Sequence, residues 1–481
     1  MIVLKSPEHQ KDERSGNTHI VPRPSLRAAH LGIIHLVLLA TCLFSKERPN
    51  IIFIFADDWG YGDLGIHGSS FCETPNLDRM AKEGTDFANF TVNSPVCSPS
   101  RVAVMTGQFP ARHGVHQHFQ GIKAHIKRGM PDWLDPQAPM LPRMLKEAGY
   151  KTGHFGKWHL GRAADSPSED LYGYDRFATF NGSKKNEIPK KGLASVDHAE
   201  KFIREFKDEP FFVNLWLHEA HLAHFPQKKY LERFEDLDER KKVYASVIAE
   251  GDEGVGRILQ LLKELKIDEK TLVVFSTDNG PEFTRDESHR YHGENESSGF
   301  GGYYSVGETG GLKGRKRSLF AGGVRVPFIA RWPGVIPAGR VDKQSVLTAV
   351  DLLPTFLDAA GVDLPKDYTP DGQSALDAFT GKEFRRSKPI FWEWRGGDNQ
   401  DYTWPSLGIR DGRWKLLMNP ERKMVELYDL ENDWAEAKDV ADSNPEVVQQ
   451  LVSKLDAWKT GLPTQPTERA MSKARQKKTR N

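Results

Sequence analysis

The chain has 481 residues, more than one minimal domain needs, and fits a large α/β domain with a smaller one. Lysine and arginine number 67 against 66 aspartates and glutamates, so there is no bulk positive charge to hold a nucleic acid or another polyanion. Hydrophobic residues at 38% and charged residues at 28% are ordinary for a soluble globular protein, and three cysteines exclude a disulfide scaffold.

Residues 1–46 read as a polar leader and export signal. The apolar run 31–39, LGIIHLVLL, follows Arg23 and Arg27 and is too short to span a bilayer, as in the apolar region of a signal peptide. This implies a periplasmic or extracellular protein. Leu39-Ala40-Thr41-Cys42 is similar to a lipoprotein processing site, so a lipid anchor stays open; a buried strand or helix is the other reading of the run. Next, Asn50 to Ala56 is a short apolar run ended by Asp57-Asp58, and reads as a fully buried strand. Leu141 to Ala148 has a helical pattern. Phe211 to Leu217 reads as a second strand, ended by His218-Glu219-Ala220-His221. A helix is expected from Val243 to Leu265. Thr271 to Ser276 is a third strand, ended by Thr277-Asp278-Asn279, and Pro327 to Ala330 a fourth. Strands alternating with helices predict a large, mostly parallel sheet sandwiched by helices over 47–385, with ligands beyond the carboxyl ends of its strands. From 386 to 462 the pattern changes to short strands at Ile390 to Trp394, Leu407 to Arg410 and Trp414 to Met418, then a helix from Pro445 to Trp458. That predicts a small antiparallel sheet plus helix, with Asp411-Gly412 as a hairpin turn. Residues 463–481 are rich in Pro, Thr and Lys and read as a disordered basic tail.

Residues 97–107 read Cys-Ser-Pro-Ser-Arg-Val-Ala-Val-Met-Thr-Gly. The segment fits C-x-P-S-R-x-x-x-x-T-G at all six fixed positions, a chance match on the order of once in 10⁵ chains this long, so a mere buried thiol is disfavoured. The motif resembles the signature of the formylglycine-dependent type I sulfatases, within the alkaline-phosphatase-like superfamily. The resemblance runs from about Pro49 to about Val440 and includes Gly156-Lys157-Trp158-His159-Leu160-Gly161, Asp278-Asn279-Gly280 and Gly322-Gly323-Val324-Arg325-Val326-Pro327. Its overall pattern is most similar to N-acetylgalactosamine-6-sulfatase and arylsulfatase-type enzymes. Ala321 departs from it, since the family usually has glutamate there.

The resemblance implies a sulfuric ester hydrolase. Cys97 would be oxidised to formylglycine by a maturation enzyme, and the hydrated aldehyde would attack sulfur and later release sulfate. Asp57, Asp58, Asp278 and Asn279 together with residue 97 would bind calcium, an all-oxygen set that suits a hard cation. Arg101 would hold the nucleophile, Lys157 and Lys316 would neutralise sulfuryl oxygens, His159 would take a proton and His221 would protonate the leaving alcohol. Ser183 is matched to a sulfate-contacting serine. Two segments are candidates for gripping a sulfated carbohydrate: Phe283 to Tyr304, and Trp392 to Asp401 with Trp394 and Arg395; core packing or a solvated loop is the other reading of both. His154, His218 and His224 are read as structural. A phosphodiesterase or phosphonate monoester hydrolase of the same superfamily, and a non-catalytic carbohydrate-binding homologue, are the alternatives.

Overall fold

The computed structural model describes residues 48–290, 299–396 and 405–478. The export segment, residues 291–298 of the 283–304 insertion, residues 397–404 and the last three residues lie outside the described residues. The strands are β1 (Asn50–Ala56), β2 (Thr85–Phe87), β3 (Phe90–Thr91), β4 (Lys151–Lys157), β5 (Arg176–Phe180), β6 (Phe211–Trp216), β7 (Thr271–Thr277), β8 (Phe328–Arg331), β9 (Arg340–Asp342), β10 (Leu347–Thr348), β11 (Ile390–Glu393), β12 (Leu407–Asp411), β13 (Trp414–Met418) and β14 (Val425–Asp429). The main helices are α1 (Pro75–Lys82), α2 (Cys97–Thr106), α3 (Leu141–Glu147), α4 (Ala194–Glu205), α5 (Glu239–Glu264), α6 (Leu352–Ala359) and α7 (Pro445–Thr460).

One eight-stranded sheet, in the order β5-β4-β6-β1-β7-β8-β2-β9, organises the chain. Its pairs are parallel except where β8 runs against β7 and β2. The central strands are apolar throughout because both faces are covered. Ile51, Phe53 and Phe55 of β1 pack into one core with α2, α3, α6 and the C-terminal sheet. Ile52, Ile54 and Ala56 point the other way, into a core with α1, α4 and α5. The sheet expected from the sequence is therefore present, and β4 and β5, which carry glycines and polar residues, extend it at one edge.

The smaller sheet is antiparallel, in the order β11-β12-β13-β14. Gly412, with φ +57°, turns β12 into β13 at the expected hairpin. The tail differs from expectation over 467–475. Ser472 is buried, its N–H donates to Asp132 Oδ2 at 2.9 Å and its hydroxyl to Asp165 Oδ1 at 2.7 Å. Basic composition suggested a solvated end, but aspartates at 132, 135 and 165 give those residues a docking surface. No helix among the described residues is long and apolar enough to cross a membrane.

Candidate active site

Strands β4, β6, β1 and β7 are neighbours and all parallel, so their carboxyl ends meet at one edge of the sheet. Lys157 ends β4, His218 and His221 follow β6, Asp57 and Asp58 follow β1, and Asp278 and Asn279 follow β7. Cys97 is the first residue of α2, and Arg101 lies one turn on, on the same face. Two residues here, Asp58 (φ +64°) and His159 (φ +54°), hold a left-handed backbone that residues with a Cβ adopt uncommonly. Such conformations persist where surrounding structure over-determines them, as it does at functional sites.

Three buried carboxylates face three buried cations. Lys157 Nζ lies 2.5 Å from Asp57 Oδ2, Arg101 Nη2 2.6 Å from Asp278 Oδ2, and Lys316 Nζ 2.5 Å from Asp58 Oδ2. Arg101 also stacks over the Trp216 ring at 4.7 Å. Cys97 Sγ sits 3.2 Å from His159 Nδ1. The His159 Nε2–H donates to the Phe119 carbonyl at 2.8 Å, which leaves Nδ1 as the acceptor facing residue 97. His221 Nε2 is 4.0 Å from Asp58 Oδ2, and its Nδ1–H donates to the Leu222 carbonyl at 2.6 Å.

Burial works against every charge here, and the neighbours decide the outcome. Burial pushes Asp57 up, but Lys157, His221, His218 and Arg101 hold its carboxyl well below the usual range. Burial and then the Asp57 charge push Asp278 up to about 7 despite Arg101. Burial and then Lys157 keep His159 neutral, and the same two effects hold His221 far below its ordinary value. Burial raises the Cys97 thiol.

The donor set fits a hard cation. Asp57 Oδ1 and Asn279 Oδ1 are buried acceptors with no hydrogen-bond partner, an arrangement that costs stability unless something else binds there. Asp57, Asp58 and His221 can together direct one ligand atom each at a common point. Asn279 Nδ2 donates to Asp58 Oδ1 at 2.7 Å, which turns its free carbonyl oxygen to the other side. Carboxylate and amide oxygens are the ligands calcium and magnesium take.

Of the residues named from the sequence, the structure brings together Asp57, Asp58, Cys97, Arg101, Lys157, His159, His221, Asp278, Asn279 and Lys316. Ser183 is not joined to them by a hydrogen bond: its N–H and hydroxyl both donate to Glu169. Trp394 is a correction. It is 1% exposed and belongs to the core beneath the small sheet, so its ring has no face for a sugar. Trp392 is equally buried, and its Nε1–H donates to the Val92 carbonyl at 2.8 Å. Arg395 is exposed and lines a crevice of about 310 Å³ with Lys127 and Arg128.

Sequence reasoning missed four groups. His218 Nδ1 bonds Asp57 Oδ2 at 2.7 Å; its place in a histidine cluster at a strand end was the available signal. Glu282 pairs with Lys316 at 3.2 Å and also with Arg317, four residues beyond Asp278. His118 lies with its ring centre 6.2 Å from that of His159, and no motif marks it. Glu436 accepts from the Ala321 N–H at 2.8 Å, so a carboxylate from the small sheet's side stands where residue 321 lacks one. His154 and His224 are buried, His154 among Trp158, Tyr174 and Trp216 with its Nε2 3.3 Å from the Lys157 carbonyl, and His224 beside Ser305.

A family model described as Sulfatase matches residues 49–362, and one described as N-sulphoglucosamine sulphohydrolase, C-terminal, matches 308–460. The chain is 35% identical over 386 residues to N-acetylgalactosamine-6-sulfatase of Canis lupus familiaris, covering 72% of this chain and 69% of that one. It is 26% identical over 510 residues to N-acetylgalactosamine-6-O-sulfatase of Bacteroides thetaiotaomicron, covering 86% and 94%. Among solved structures, Ps i-CgsB in complex with k-i-k-neocarrahexaose superposes with a TM-score of 0.71 at 27% identity, covering 85% and 92%.

Proposed function

The chain belongs to the sulfatase family and is a sulfatase, and from that premise we propose that it removes sulfate from a sulfated amino sugar, using residue 97 as formylglycine and one bound calcium ion. The observation that carries the reading is Cys97 against His159, with Arg101, Lys157 and Lys316 paired to three buried carboxylates at the same strand ends, where Asp57 Oδ1 and the Asn279 amide oxygen have no hydrogen-bond partner. Formylglycine and calcium would supply, respectively, a hydrated aldehyde as nucleophile and a Lewis acid, held by Asp57, Asp58, Asp278 and Asn279.

The remaining chemistry belongs to the chain's own side chains. The Arg101 Nε and Nη1 groups are buried donors without partners, ready for the oxygens of residue 97 or of the sulfate. His159 presents the Nδ1 lone pair to residue 97 and takes its proton. Lys157 and Lys316 balance charge on the sulfuryl oxygens, where preorganised cations act most strongly. His221, neutral when alone, gains a proton more readily once an anionic substrate lies beside it, and then serves the leaving oxygen. Arg395, exposed in its crevice with Lys127 and Arg128, stays a sequence-derived candidate for the sugar, as does the segment 283–304. Ser183 is assigned to the sulfate only by its motif. Composition of the leader supports export, with a maturation enzyme as the partner that modifies Cys97.

The test is expression with a formylglycine-generating enzyme, followed by peptide mass at residue 97, metal content, and turnover of N-acetylgalactosamine 6-sulfate. An aldehyde at 97, one calcium per chain and loss of turnover in Cys97→Ala are expected. Full activity in the alanine variant, or in a chain carrying only the thiol, refutes the reading.

A further inference from the structure

The segment 116–119 is held from three sides. The Phe119 N–H donates to Ser98 Oγ at 3.0 Å, beside Cys97, and the Phe119 carbonyl fixes His159. On the other side the Arg395 N–H donates to the His116 carbonyl at 3.1 Å. Gln117 and Phe119 are buried, while His118 between them keeps a partly exposed ring. Its position is therefore set by the same contacts that set His159.

Its protonation is set as well. Gln117 Nε2 donates to the Arg395 carbonyl at 3.3 Å, which fixes the orientation of the amide. Gln117 Oε1 then accepts from the His118 backbone N–H at 3.0 Å and from Nδ1–H at 2.9 Å. With the proton on Nδ1, Nε2 carries a lone pair, and among the described residues it has no hydrogen-bond partner. Burial, then Lys316, Arg128, Arg317 and Lys157, push the ring down to about 3, so it stays neutral at working pH.

Those four neighbours are donors only and suit an anion. A neutral acceptor among them has a different use, because it rewards a group that brings a proton. We propose that His118 is a specificity-determining residue whose Nε2 accepts a hydrogen bond from a hydroxyl of the sugar that bears the sulfate. The proposal rests on the sulfated-sugar reading above. A site built to bond a hydroxyl discriminates against an analogue that lacks it, because the buried polar group is left unpaired.

The experiment measures kcat/KM for N-acetylgalactosamine 6-sulfate and its 3-deoxy and 4-deoxy analogues with the mature enzyme, His118→Ala and His118→Gln. In the wild type one analogue should be worse than the parent by about tenfold or more. In His118→Ala the parent should fall to the level of that analogue, and the difference between them should shrink to within about twofold. His118→Gln, which restores an acceptor, should recover part of the discrimination. An unchanged parent-to-analogue ratio in His118→Ala overturns the assignment while leaving the sugar reading intact. Wild-type turnover of 4-nitrophenyl sulfate with none of the sulfated sugar overturns the sugar reading and this proposal with it.

Discussion

Replacing Glu436 with glutamine should destabilise the protein by about 3–5 kcal/mol. Glu436 and Lys415 are both buried, with Lys415 Nζ 2.6 Å from Glu436 Oε1 and 2.8 Å from the Leu319 carbonyl. Burial already pulls Lys415 below its ordinary value, and Glu436 is the first group that opposes this. Glutamine keeps an acceptor for the Ala321 N–H but removes the charge. Lys415 can then stay charged without a counter-ion or lose its proton. The second route caps the cost, since deprotonating a lysine at pH 7 from about 10.4 takes about 5 kcal/mol. The assay is urea unfolding of the wild type, Glu436→Gln, Lys415→Met and the double variant. The double variant should recover most of the loss, because an uncharged pair leaves no stranded charge. Activity should fall in Glu436→Gln, since Leu319 and Ala321 lie on the loop that carries Lys316. A loss under about 1 kcal/mol in the single variant, or a double variant no better than the singles combined, refutes the reasoning.

Lys157→Met should lower kcat for the sulfated sugar by about 10²–10³-fold, the usual cost of removing one preorganised charge from a reacting anion. Steady-state kinetics at saturating substrate checks it, and a change confined to KM contradicts the assignment. Glu250→Gln concerns pH. Burial is the main cause that raises the Glu250 carboxyl to about 7, with Glu253 adding to it against Gln227 and Lys229. An acid raised on folding takes up a proton, so its drag on stability is absent below its unfolded value near 4.5 and complete above about 7. The variant should therefore match the wild type in thermal midpoint at pH 4.5 and exceed it at pH 8. Equal midpoint differences at the two pH values would show that Glu250 ionises freely.

The strand ends were legible because burial on both faces demands uninterrupted apolar runs, and an abrupt Asp57-Asp58 or Asp278-Asn279 after such a run has few structural uses. Their convergence followed from parallel pairing. Trp394 was misread because an aromatic beside an arginine has the same composition in a core as in a sugar pocket; only the packing of β11 against the large domain decides it. His118 and Glu436 were invisible for a different reason. Each acts through segments distant in sequence, His118 through Ser98 and Arg395 neighbours, Glu436 through Ala321 and Lys415, and no local pattern encodes such meetings. The docked residues 467–475 were hidden by composition, since partner aspartates more than 300 positions away decide whether a polar segment is ordered.

Cys97 is 3% exposed, and every other residue of α2 is buried with it. No second protein can reach that sulfur without dismantling the helix and the core around it. On the proposed formylglycine chemistry, oxidation by a maturation enzyme would therefore have to win a race against folding, while the segment from 97 to 107 is still extended and accessible. A chain that folded first would be sealed as the thiol form, stable and, on that proposal, inert. The fraction of active enzyme would then be fixed at synthesis by the relative speeds of two processes, and supplying the oxidising enzyme later to purified, folded protein should not raise it.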